Sequence, residues 1–181
     1  MARKSMHIEP SGATALARHY IRDVVYGASD GIITTFAVVT GVAGGGLPNL
    51  AVLVVGVANL AADGLSMGVG NLLAIRADER AREAADLPEL EASPWKHGLA
   101  TAIAFVSAGA VPLLPYVVTD LEAEVVWSTV LTLAALFVLG ALRALVTVDR
   151  WWRSGIETLL LGAVVALAAY GAGMIVAILA S

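Results

Sequence analysis

The chain has 181 residues, of which 59% are hydrophobic and only 14% charged, and its mean hydropathy is +0.82. That apolarity excludes an ordinary water-soluble domain and makes lipid the solvent. Cysteine is absent, which removes disulfides, thiolate metal sites and cysteine nucleophiles, and with a net charge of -4 the placement of charges says more than their sum.

Residues 1 to 23 hold His7, Glu9, Arg18, His19 and Arg22 and lack the apolar core of a cleavable leader. Within them, residues 11 to 23 set Leu16, Tyr20 and Ile21 against Arg18, His19 and Arg22, a pattern that suits a short helix lying on the membrane surface. Five apolar segments follow, at about 24 to 45, 50 to 75, 98 to 118, 125 to 147 and 157 to 180. Each is long enough to cross a bilayer core, which takes about 20 helical residues. The segments are separated by Gly44-Gly45-Gly46-Leu47-Pro48-Asn49, by the charged run from Arg76 to Lys96, by Thr119-Asp120-Leu121-Glu122, and by Asp149-Arg150-Trp151-Trp152-Arg153-Ser154-Gly155. Their apolarity is continuous rather than alternating, so barrel strands are not expected. The predicted fold is all-α: residues 24 to 181 form one integral membrane bundle of five transmembrane helices.

Charge placement gives an independent test of that count. Arg3, Lys4, Arg18 and Arg22 precede the first helix; Arg76, Arg80, Arg82 and Lys96 lie between the second and third; Arg143, Arg150 and Arg153 lie at or after the end of the fourth. Those are all 11 basic residues, and the alternate loops hold only Asp120, Glu122 and Glu124. Because basic residues flanking helices stay on the cytoplasmic side, the N-terminus is expected in the cytoplasm and the C-terminus outside it. Trp95, Trp127, Trp151 and Trp152 all fall near segment ends, where indole rings favour the headgroup level.

A charge inside a spanning helix costs about 2.5–3.5 kcal/mol on insertion, so it calls for a reason. Asp30 lies within the first helix and Asp63 near the middle of the second, whereas Arg143 and Glu157 sit close enough to helix ends to reach headgroups. On the second helix Asn59, Asp63, Met67 and Asn71 are each four residues apart and share a face, with Ser66 adjacent; Tyr26, Asp30 and Thr34 repeat the spacing on the first. A carboxylate, two amides and a thioether in one stripe form a ladder for a partly dehydrated cation. Oxygen ligands favour Mg, Ca, Mn and Fe(II), and a thioether leans toward transition metals, so the combination points to Fe(II) or Mn(II). Zinc and copper fit less well, since His7, His19 and His97 lie outside the predicted membrane core. The glycine pairs Gly27 and Gly31, Gly41 and Gly45, and Gly64 and Gly68 allow helices to pack backbone to backbone, within the chain or between copies, and those beside the acids also make room for an ion.

The stretches Tyr26-Gly27-Ala28-Ser29-Asp30-Gly31-Ile32-Ile33-Thr34-Thr35-Phe36-Ala37, Thr40-Gly41-Val42-Ala43-Gly44 and Ala61-Ala62-Asp63-Gly64-Leu65-Ser66-Met67-Gly68 resemble the vacuolar iron transporter family. The resemblance implies a five-helix homodimer whose ion pathway runs between the first two helices of both subunits, with Asp30 and Met67 contacting the metal. It also implies export of cytoplasmic Fe(II) or Mn(II) in exchange for protons. Two features depart from the family pattern. Many members carry a glutamate where this chain has Asn71, its helix-two acid being Asp63 instead, and the large acidic domain that plant and yeast-like forms place between helices two and three is replaced by the interval Arg76 to Lys96. There Glu79, Glu83 and Asp86 continue a helical face, read as a solvated extension ended by Leu87-Pro88.

The expectation is therefore a secondary transporter in a bacterial-type cytoplasmic membrane, using Asp30, Asp63, Met67, Asn59 and Asn71, with the bilayer, divalent metal ions and a second copy of itself as partners. No tightly bound cofactor and no nucleic acid are expected. The rival reading is a non-transporting membrane partner whose acids merely specify assembly. An enzyme is not expected, because no nucleophile with an adjacent base and no phosphate-binding loop is present.

Overall fold

A computed structural model describes residues 5–7, 10–118, 123–144 and 150–180. It contains α1 (Ala13–Gly44), α2 (Asn49–Ala84), α3 (Pro94–Gly109), a 3₁₀ turn (Val111–Leu113), α4 (Leu114–Val117), α5 (Glu124–Arg143) and α6 (Trp151–Ala180). Five stretches, with α3 through α4 counted as one, are long and apolar enough to span a membrane. Among the described residues there is no strand, only an isolated bridge between Ser5 and Glu89. The expected turn at residues 119–122, together with Arg3, Lys4, Glu9 and Asp149, lies outside the described residues.

α1 is the hub of the bundle, packing on α2, α3, α5 and α6. Its glycines explain how. A Cβ on Gly27 or Gly31 would collide with the carbonyls of Thr101 and Phe105 on α3, and one on Gly44 with the carbonyl of Tyr170 on α6. The first half of α1 therefore lies backbone to backbone on α3, and its end on α6. Gly64 on α2 sits beneath Val106, and Gly68 meets the Gly98 carbonyl. The glycines flanking Asp30 and Asp63 are thus filled by α3; they bring helices together and do not widen a space for an ion.

α5 and α6 pair closely where Gly140 meets Ser154, Gly155 and Thr158, and again where Gly162 meets Leu136. Elsewhere α6 presents Leu160, Leu161, Val164, Leu167, Ile175, Ile178 and Leu179 outward. An apolar face of that extent needs lipid around it. The four tryptophans are exposed near helix ends, as the sequence predicts, and Arg153 lies over the Trp152 ring at 5.4 Å.

Three local features differ from the sequence expectation. Residues 13–23 are not a separate surface helix but the first three turns of α1, which starts after Gly12 and runs unbroken because no proline or capping signal interrupts it. The third span breaks at Gly109, since Pro112 and Pro115 carry no N–H to continue the helix; Ser128 on α5 donates to the Pro112 carbonyl at 2.7 Å. Glu79 is not solvated. It is buried, and its Oε1 accepts the backbone N–H groups of Leu90 and Glu91 at 3.0 and 2.9 Å, folding residues 85–93 back under the end of α2. The reversal uses Asp86 in the left-handed region, φ 55°, with Leu87 N–H donated to Arg82.

Candidate metal pathway

The face of α2 pressed on α3 and the 3₁₀ turn is Val52, Gly56, Leu60, Gly64 and Gly68. The ladder Asn59, Asp63, Met67 and Asn71 flanks that stripe, and every member is half-buried. On α1 the ring of Tyr26 is exposed, while Asp30 and Thr34 are half-buried. The polar stripes of α1 and α2 are thus partly covered by the bundle and partly open, and the seam between these two packed helices is the α1–α2 cleft.

Asp30 and Asp63 lie within coulombic reach of each other. Thr34 donates its hydroxyl to the Asp30 backbone carbonyl at 2.8 Å, which leaves the hydroxyl oxygen free to accept. Met67 packs against the cluster of Phe36, Leu60 and Phe105, so its thioether has a fixed seat. The Asn59 amide nitrogen is closed off from solvent and has no hydrogen-bond partner. Rotation of that amide would put its carbonyl oxygen in the same place, where a cation is a better neighbour than the surrounding apolar atoms. Nothing in the described residues neutralises the acid pair with a basic side chain: Arg143 pairs instead with Glu157 at 2.7 Å, at the facing ends of α5 and α6.

Asn71 belongs to a different environment. Its amide donates to Asp23 Oδ1 and to Thr101 Oγ1, both at 2.8 Å. Asp23 is buried, and its other oxygen lies 2.6 Å from His97 Nδ1. His97 Nε2 in turn lies 2.9 Å from Glu91 Oε2, and His19 Nε2 lies 3.2 Å from the same oxygen. The lowest rung of the ladder is therefore joined to a knot of side chains at the end of the bundle that carries the basic residues. Burial alone would raise the pKa of the Glu91 carboxyl, but the Ser93 N–H donated to it and the His97 and His7 rings beside it outweigh that and hold it below the ordinary carboxylate range. Asp23, Glu91 and the convergence of the histidines escape a reading by helical spacing. Topology offers a clue, since His7 and His19 precede the first span and His97 opens the third, which puts all three at one end.

A family model described as the VIT family matches residues 21–91 and 79–174. Curated relatives include vacuolar iron transporter 1 of Eucalyptus grandis, 29% identical over an alignment covering 86% of this chain and 86% of the relative. Vacuolar iron transporter 1 of Arabidopsis thaliana is 28% identical over 90% of this chain and 92% of its own length. The vacuolar iron transporter of Toxoplasma gondii is 42% identical over 66 residues, 36% of this chain and 22% of that relative.

Proposed function

The chain belongs to the VIT family, and on that premise we propose that it is a transporter, not an enzyme, that carries iron across a membrane. In finer terms it exports Fe(II) or Mn(II) from the cytoplasm in exchange for protons, from a bacterial-type cytoplasmic membrane with its N-terminus inside. The observation that carries this reading is the pair Asp30 and Asp63, two acids in coulombic reach on facing helices of an apolar bundle.

The chemistry follows from charge. Two carboxylates in a low-dielectric cleft repel, and either a divalent cation or protons relieve the repulsion. Those two solutions exclude each other, which couples metal entry to proton release. Met67 and Asn59 replace part of the ion's hydration shell, Asn71 being committed to Asp23 and Thr101, and the thioether favours Fe(II) and Mn(II) over Mg(II). A second copy of the chain supplies the missing wall: the cleft is half-open along its whole ladder, and a twofold partner placing its own α1 and α2 there would bring four carboxyls around one axis.

The test is metal uptake into proteoliposomes of the purified chain. Fe(II) and Mn(II) should accumulate, Mg(II) should not, and an acid interior should accelerate uptake while the lumen loses acidity. Absence of flux from a protein that copurifies with a stable second membrane protein would replace transport by the assembly role.

A further inference from the structure

The knot at the basic end has the form of a metal site distinct from the cleft. One ligand atom each from His19, Glu91 and His97 lies within 4.8 Å of the others. Three independent pieces of chain deliver them. The early turns of α1 carry His19, the first turn of α3 carries His97, and the loop pinned by Glu79 carries Glu91. Glu91 Oε2 stands 3.2 Å from His19 Nε2 and 2.9 Å from His97 Nε2. A divalent ion with bonds of about 2.0–2.2 Å holds neighbouring ligand atoms roughly 3.0–3.5 Å apart, so these edges already have about the required length.

The orphaned nitrogens point the same way. The Nε2 atoms of His19 and His97 are closed off from solvent, yet neither makes an aligned hydrogen bond. His97 is only 6% exposed. In the tautomer that carries its hydrogen on Nδ1 toward Asp23, the His97 ring turns an Nε2 lone pair toward the Glu91 carboxylate. Lone pair against carboxylate is repulsive, and a cation between them turns the repulsion into coordination. Asp23 then has the role of the carboxylate behind a metal-bound imidazole, fixing its tautomer and orientation, and is itself held by Asn71.

We propose that His19, His97 and Glu91 bind a first-row divalent transition metal ion, with Asp23 as a positioning residue. Two imidazoles and one carboxylate suit Fe(II), Co(II) and Zn(II) and disfavour Mg(II) and Ca(II), whose ligands are oxygens. His7 flanks the site, its Nδ1 3.5 Å from Glu91 Oε1. The site differs from the cleft in its ligands, and its existence does not depend on transport through the cleft. The chain Glu91, His97, Asp23, Asn71 nevertheless runs from it to the foot of the ladder, which places a nitrogen-rich binding site beside an oxygen-rich path.

Co(II) is the probe. Titrated into the full-length protein in detergent, it should bind with a visible d–d band and an X-ray absorption edge showing two imidazoles in its first shell. Excess Mg(II) should not displace it. Glu91→Gln and His19→Gln each remove a ligand and should weaken this binding by more than the about 10–100-fold that loss of a supporting partner costs. Asp30→Asn should leave the imidazole signature unchanged. The wild-type spectrum needs no variant to fold, and a first shell of oxygens alone overturns the proposal. So does Co(II) affinity that both substitutions leave untouched, the result expected if a doubly protonated His97 simply bridges Asp23 and Glu91.

Discussion

The α1–α2 cleft and the knot at the basic end hold acids in opposite ways. In the cleft, Asp30 and Asp63 lie within coulombic reach of each other and neither pairs with a basic side chain among the described residues, and Asn59 keeps an unpaired buried nitrogen. In the knot, Asp23 has Asn71 on one oxygen and His97 on the other, and Glu79 accepts two backbone N–H groups. On the proposed reading, a chain that ties Asp23 and Glu79 so fully and leaves Asp30 and Asp63 unbalanced in its apolar middle uses the first two for architecture and the second two for something that comes and goes. Glu91, beside the orphaned Nε2 atoms of His19 and His97, is the member of the knot left for a ligand. The difference converts into separate expectations for stability and for flux.

The largest stability loss is expected at Asp23→Ala. It strands both the His97 ring and the Asn71 amide, and each buried polar group left unsatisfied costs about 1–3 kcal/mol. Thermal unfolding in detergent should show it, and a near-normal midpoint would mean that the knot is not structural. Glu79→Ala should cost about 1.5–3 kcal/mol, the range for hydrogen bonds to a charged group, and should raise backbone hydrogen exchange at Leu90 and Glu91. Asn59→Leu inverts the pattern. Replacing an unpaired buried amide with an apolar side chain should change stability by less than about 1 kcal/mol, while slowing Fe(II) flux. Smallest of all is Arg143→Ala, since its pair with Glu157 is largely exposed, at 34% and 61%, and such pairs contribute about 0–1 kcal/mol.

The five spans and the one-sided basic residues are legible in the sequence because apolar length and charge placement are local properties. The stripe Asn59, Asp63, Met67 and Asn71 is legible for a similar reason, a four-residue spacing on one helix. The knot is not, because His97 and Asp23 are 74 residues apart and meet only when α1 extends three turns beyond its apolar span to lie along α3. Glu79 misleads by sitting in a charged run that reads as solvated; its burial depends on a loop doubling back through Asp86, which no glycine signals. Asn71 shows the limit of periodicity most clearly. It shares a face with Asp63 and Met67, yet its hydrogen bonds commit it to the knot.

On the proposed reading, Asp30 is kept in the apolar middle of α1 because a cation needs it there. Fe(II) uptake by proteoliposomes of Asp30→Asn, compared with wild type at equal incorporation and equal oligomeric state, tests it most directly. Uptake should fall to the level of protein-free vesicles, with an unfolding midpoint at or above wild type. Uptake at the wild-type rate would contradict this reading.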